Sequence, residues 1–426
     1  MSAPAAAPVQ AIAPERARAL SEVEFIALMA MLVATIAFSI DSMLPALPQI
    51  GRELSPGNAN AAQLVIVAFV FGMGLGTLFV GPLSDAFGRK NVMLGGAVLY
   101  CVGALAASVA PSLEMVLVAR IVQGLGASGP RVAAQAMIRD LYAGRGMARI
   151  SSFVMMTFTL VPAFAPLVGS VIIDLAGWRG LFAAFVLFSA AISTWLAIRQ
   201  PETLPRSMRR PMRLTPLRLA CREVLAHPNV RRSILMQTLI FGVLFGTITS
   251  VQQVYDISFD RAESFPVWFC VVALISGTAS FVNARLVMRL GMLWLLRRAL
   301  AAHLVLSVLL LVVWTTGMLP RDGLFGVFLL WQIGTFAMAG LTIGNLNAVA
   351  MQPMGHIAGM ASSVTAAVST VLAVVVAAAI GLSFDGTPVP LAIGAALCIA
   401  LALLISRRLE EEPMDAPAEA VGQPAH

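Results

Sequence analysis

Apolar stretches of about 20 residues recur from one end of the chain to the other, and this repetition constrains the fold more than any motif does. They lie near 24–47, 61–83, 92–110, 113–136, 150–173, 179–198, 233–255, 265–288, 293–316, 323–346, 358–382 and 387–406. A helix rising about 1.5 Å per residue needs that length to cross about 30 Å of hydrocarbon. Hydrocarbon leaves no backbone polar group unpaired and the period-2 alternation of barrel strands is absent, so each stretch predicts a helix. The expected fold is an all-α integral membrane protein of twelve transmembrane helices. Composition agrees: 59% of the residues are hydrophobic and 12% charged, where a soluble domain carries about 25%. That deficit excludes a soluble enzyme, a disordered scaffold and a nucleic-acid binder.

The net charge of +7 is a matter of placement. With the N-terminus inside, 22 of the 28 Lys and Arg fall on the cytoplasmic side, among them Arg16, Arg18, Arg89, Lys90 and nine Arg from Arg199 to Arg232. Only Arg52, Arg179, Arg261 and Arg321 fall outside. The bias predicts a multi-pass membrane protein with both termini cytoplasmic. Residues 1–20 hold no cleavable signal, and the first span reads as an uncleaved anchor.

The long Arg- and Pro-rich connection divides the spans into two sets. Residues 1–22 are expected to be a disordered cytoplasmic tail, 23–199 an N-terminal six-helix bundle, 200–231 a cytoplasmic linker, 232–407 a C-terminal six-helix bundle and 408–426 a second tail. An internal echo supports duplication: Gly81-Pro-Leu-Ser-Asp85-Ala-Phe-Gly88-Arg89-Lys90 follows the second span and Ala284-Arg-Leu-Val-Met-Arg289-Leu-Gly291 the eighth. Paired six-helix repeats around a midplane site are a transporter plan.

Ionisable groups inside spans are rare and each needs a reason. Asp41 is the only carboxylate well inside a span, and Arg120 and Arg131 are the only basic residues there. Asp41 either reaches headgroups near Pro45 or faces a cavity, where desolvation favours its neutral form and a nearby cation its charged form. Arg120, Gln123, Gly124, Ala127 and Arg131 share one helix stripe, although Arg131 could equally snorkel to the interface. Gly72, Gly74, Gly76, Gly124 and Gly126 read as close-packing positions, and Pro162, Pro166 and Gly169 as a loosened fifth helix. Asp85, an acid at a cytoplasmic helix end, calls for a cation or a helix N-terminus as partner. No metal site, disulfide framework, P-loop or paired intramembrane carboxylate is present in the sequence, so no cofactor is expected. His303 reads as a packed helix residue.

With these residues in place, the chain resembles the major facilitator superfamily, and within it the Bcr/CflA-type twelve-helix drug:proton antiporters. The loop run from Gly81 to Lys90 and Arg120-Ile-Val-Gln123-Gly124-Leu-Gly126-Ala carry the superfamily resemblance. Asp41-Ser-Met-Leu-Pro45-Ala-Leu-Pro48, Ile138-Arg139-Asp140-Leu-Tyr142 and Gly177-Trp178-Arg179-Gly-Leu-Phe182 carry that of the branch. The fifth-helix run Val161-Pro162-Ala-Phe-Ala-Pro166-Leu-Val-Gly169 keeps one Pro and one Gly of the antiporter pattern. The resemblance implies proton coupling through Asp41 and Arg120. Gating would involve Gly81, Asp85, Gly88, Arg89, Lys90, Arg139, Pro162, Pro166 and Gly169.

The expected function is multidrug efflux by a monomer that exports small amphiphilic molecules in exchange for protons, with lipid as its surroundings. The alternative is export of one endogenous metabolite, and a receptor or membrane enzyme is the rival from another class. Candidate substrate contacts are Phe38, Asp41, Arg120, Gln123, Arg131, Met155, Phe241, Phe245, Gln252, Asn345 and Asn347, with Met156, Phe158 and Gln253 beside them. For the apolar members and the amides, helix packing is the competing reading. No carboxylate in the second half is expected to balance Asp41.

Overall fold

The computed structural model describes residues 20–212 and 214–410, apart from the side chains of Phe158, Thr159 and Leu214. Arg16, Arg18, Arg213, His426 and most of both predicted tails lie outside the described residues. Every regular element among the described residues is helical. The first half comprises α1 (Glu22–Asp41), α2 (Leu47–Leu54), α3 (Leu64–Phe87), α4 (Arg89–Ser108), α5 (Leu113–Leu141) and α6 (Gly144–Arg199). Then come α7 (Leu214–Ala226), α8 (Pro228–Gln253), α9 (Phe265–Leu290), α10 (Met292–Thr316), α11 (Arg321–Met351), α12 (Ala358–Leu382) and α13 (Val389–Ser406).

Local chemistry sets the boundaries. The Ser21 hydroxyl accepts from the Glu24 amide at 3.2 Å and Ser112 accepts from Met115 at 3.4 Å, capping α1 and α5 where first-turn amides lack helical partners. Gly88 (φ 98°, ψ 154°) separates α3 from α4, and Gly291 (φ 81°, ψ 155°) separates α9 from α10. The two glycines of the sequence echo thus share a backbone conformation that side-chain-bearing residues avoid. Gly177 (φ 68°) turns α6 part-way along its 56 residues.

Nine helical segments among the described residues are long and apolar enough to cross a membrane. Two of these are long composites, Gly144–Arg199 and Arg321–Leu382. Helix α5 is not one of the nine, because Arg120, Arg131, Gln123 and its glycines dilute its hydropathy.

Packing is densest within two sets: α3, α4 and α5 together with α1 on α6, and α8 on α12 with α10 against α11 and α13. Between the sets, α3 meets α12 and α6 meets α9. The two ends of the described residues lie on one face, where Arg199 bonds Glu24 and Asn229 donates to the Glu410 carbonyl at 2.7 Å. This is called the terminal face below, and the opposite side the far face. Helix α7 was not foreseen in the linker; it buries Leu217 and Val224 against the terminal-face end of the second set, with Val230, Ala361 and Val364.

Candidate functional site

Small residues bring α3 and α5 together, and that crossing creates the site. A Cβ on Gly124 would lie 2.0 Å from the Phe69 carbonyl oxygen, and one on Gly72 would lie 2.1 Å from that of Ile121. Only glycine allows this approach, so the packing expected of Gly72, Gly76 and Gly124 is what these two helices use, while Gly126 packs against Gly96 and Tyr100 of α4. Gly74 instead faces Thr370 and Val371 of α12. Gly103 and Gly96 do the same work between α4 and α5.

Arg120 lies fully buried in this crossing. Its guanidinium donates to the Val65 carbonyl at 3.1 Å, the Ser39 carbonyl at 3.0 Å and Gln123 Oε1 at 2.8 Å, and it stacks over Phe69 at 4.4 Å. Three helices are therefore joined through one side chain, and no carboxylate among the described residues neutralises it. Ser39 donates to the Thr35 carbonyl at 2.6 Å and shares a 2.5 Å hydrogen bond with Tyr100 of α4. Ser39, Tyr100 and Phe69 were not singled out in the sequence, because a hydroxyl or ring in an apolar run carries no distinctive signal.

Asp41 ends α1, two residues beyond the carbonyl that Arg120 holds, and is 5% exposed. Its carboxyl makes no hydrogen bond or ion pair with another described residue, and it is not paired with Arg120. The next residue packs on the fifth-span motif, since a Cβ on Gly169 would stand 2.3 Å from the Ser42 carbonyl oxygen. Pro162 and Pro166 lie within the unbroken first part of α6. Arg131 approaches Met73 Sδ at 3.9 Å, one turn along α3 from Phe69, so both arginines face α3.

The remaining candidates are spread out. Phe38 packs edge-on against Phe185, at 5.3 Å between ring centroids, and against Phe188. Phe241 and Phe245 stack on each other at 5.8 Å, and Met155 and Met156 are about half exposed. Asn345 donates to Asn283 at 2.8 Å, tying α11 to α9, and Asn347 accepts from Gln237 at 3.2 Å, tying α11 to α8. His303 is buried, its ring tilted against Trp331 at 5.6 Å between centroids, with Thr335 at 3.4 Å.

On the terminal face, Arg89 bonds Asp85 at 2.5 Å, Ser84 at 2.8 Å and Asp140 at 3.1 Å. Asp85 thus has the cationic partner that its position called for. The open N-terminus of α4 is taken by the linker: Glu202 accepts from the Arg89 amide at 2.9 Å and the Lys90 amide at 3.2 Å. Lys90 Nζ donates to the Ala197 carbonyl at 2.7 Å. A cavity of about 740 Å³ opens between the two sets here, lined by Gly81, Asp85, Arg89, Arg139, Arg210, His356 and Ser363 among others.

The far face is bridged instead. Gln63 Nε2 donates to Gln253 at 2.5 Å, Ser250 donates to Gln63 Oε1 at 3.0 Å, and Asn60 donates to the Phe384 carbonyl at 2.7 Å. All three bonds join the first set to the second. Nearby, Glu53 accepts from Trp178 at 2.7 Å and Arg179 at 2.5 Å, which binds α2 to the turn in α6.

Comparison with known proteins places the chain among transporters. The family model of the Major Facilitator Superfamily matches residues 27–378. An uncharacterized MFS-type transporter, YdgK, of Bacillus subtilis is 28% identical over 369 residues, 85% of this chain and 90% of its own. A bicyclomycin resistance protein homolog of Haemophilus influenzae is 26% identical over 86% of this chain and 91% of its own. Multidrug resistance protein D of Escherichia coli is 29% identical over 183 residues, 43% of this chain and 46% of its own. Among solved structures, a D-xylose-proton symporter superposes with a TM-score of 0.74 at 15% identity, over 92% of this chain and 99% of that one, a likeness of fold.

Proposed function

Because the chain belongs to the major facilitator superfamily, we propose that it is a drug exporter of the bacterial inner membrane that exchanges small amphiphilic molecules for protons by alternating access. One observation carries this reading: the seam between the helix sets is open on the terminal face, at the 740 Å³ cavity, and bridged by hydrogen bonds on the far face. A site reached from one side at a time is what alternating access requires. The relatives named for bicyclomycin and multidrug resistance support a drug as cargo.

In this reading Gly144–Arg199 forms two spans turned at Gly177, Arg321–Leu382 forms two more, and α5 completes twelve. They make two six-helix bundles, 23–199 and 232–407, that rock as one monomer with both termini in the cytoplasm. Proton and substrate compete for Asp41, and Arg120 reports on α1 through the Ser39 carbonyl. Asp85, Arg89, Arg139 and the Gly81–Lys90 turn act at the cytoplasmic mouth. The proton is the coupling ion and no cofactor takes part.

Two measurements test this. A resistance and export screen in a strain stripped of its own efflux pumps names the cargo, and no phenotype across cationic, neutral and anionic drugs rejects the drug assignment. In proteoliposomes, Asp41→Asn is expected to abolish substrate-dependent proton flux; unchanged flux in both Asp41→Asn and Arg120→Ala removes them from coupling. A second reading, export of one anionic or zwitterionic metabolite, is favoured by Arg131, which meets Met73 and no carboxylate among the described residues. Its mark would be transport lost in Arg131→Ala for anionic cargo alone.

A further inference from the structure

Above the contact of α6 with α9, the far face holds a second cavity of about 510 Å³ between the two helix sets. Its floor and walls include Pro45, Ser170, Ile173 and Gln252, and its rim carries Asp174, Asp256, Glu263 and Arg52. None of these four charged side chains forms an ion pair with another described residue, so three acids share the opening with one base. Gln252 supplies an independent observation. It is 4% exposed, and its amide makes no hydrogen bond with another described residue, the Oε1 atom being fully enclosed. A buried amide without a protein partner beside a cavity is a polar group whose bonding is left to whatever occupies that cavity.

The cavity also stands close to Asp41. Pro45 is one helical turn past Asp41, and Ser170 follows Gly169, which lies so near the Ser42 backbone that no Cβ fits between them. Resting on the export reading above, we propose that this cavity is an outer-face binding site for small organic cations, held by Asp174, Asp256 and Glu263 at the rim, with the unpaired Gln252 amide in its wall. It adds the second-half acids, Asp256 and Glu263, that the sequence did not offer as counterparts to Asp41. A cation released from Asp41 toward the outside would pass it. Arg52 weakens the attraction and so sets the range of cations retained.

The test uses the full chain in spheroplasts, with Cys101, Cys221, Cys270 and Cys398 replaced by Ser and a single thiol introduced as Ala262→Cys on the cavity wall. Labelling by a membrane-impermeant maleimide is followed with and without tetraphenylphosphonium. The cation is expected to slow labelling at least threefold, to lose that effect in Asp174→Asn/Asp256→Asn/Glu263→Gln, and to protect more strongly in Arg52→Gln. Protection that is absent, unchanged in the triple-acid variant, or abolished by Arg52→Gln overturns the site. Protection is expected to survive in Asp41→Asn. If it does while that variant still couples protons, the coupling role of Asp41 fails and the outer site stands.

Discussion

The Arg120 guanidinium uses three of its five N–H groups on carbonyl oxygens of Val65, Ser39 and Gln123, and its face on the Phe69 ring. A fixed fork can reach two backbones at once, whereas an ammonium is a point donor. Arg120→Lys therefore keeps the charge but gives up the joint hold on α1 and α3; hydrogen bonds to charged groups contribute about 1.5–3 kcal/mol each. Proton-coupled transport is expected to fall at least about tenfold in proteoliposomes, and native rates would show that charge alone suffices. Tyr100→Phe removes its bond with Ser39, which still donates to Thr35. It should lower the melting temperature by a few degrees, about 1 kcal/mol, with transport largely retained. Asp41, Arg120 and Arg131 were legible in the sequence because a charge in an apolar run is conspicuous. Their partners were not, because two of the groups holding Arg120 are backbone carbonyls, which every residue has.

Helix crossings make a sharper distinction among glycines than composition can. Gly124 and Gly72 face backbone at 2.0 and 2.1 Å from a would-be Cβ, and backbone cannot move aside as a side-chain tip can. Gly95, on α4, meets nothing within 4 Å. Gly124→Ala and Gly72→Ala should force α3 and α5 apart and cost at least about 1–3 kcal/mol as overpacking. Gly95→Ala should be neutral or stabilising by up to about 1 kcal/mol through helix propensity. Thermal unfolding of the purified chain in detergent ranks them, and equal losses at all three would refute the crossing as the cause. Span periodicity placed most of these helices within a few residues. The linker helix α7 escaped because 13 residues with basic and small positions show no membrane-length run. Glu202 escaped for a related reason: an acid in a loop gives no sign that it will cap a helix starting 113 residues earlier.

At the scale of the molecule, the balance between its two openings depends on what each face forms and breaks. The far-face bridge is built from buried amides and a hydroxyl: Gln63 is 1% exposed, Gln253 6% and Ser250 1%. Gln63→Leu leaves Gln253 and Ser250 with unmet donors or acceptors in a dry contact, a cost of about 1–3 kcal/mol, and so lowers the ratio of far-closed to far-open molecules about 5- to 150-fold. Spin labels at Gly57→Cys and Ala262→Cys, on opposite sides of the far face in a background lacking the native cysteines, should then report a longer distance. Gly381→Ala should act in the same direction by another route, because its Cβ would stand 2.2 Å from Gln63 Oε1 and displace that amide. Adding Gln253→Leu to Gln63→Leu should restore much of the closure, since two facing apolar groups leave fewer polar atoms unmet than one. A bridge held by shape alone would give the opposite order, with the double variant the most open. An unchanged distance in Gln63→Leu would mean that α3 on α12 and α6 on α9 hold the far face closed by packing, and the amides only fill it.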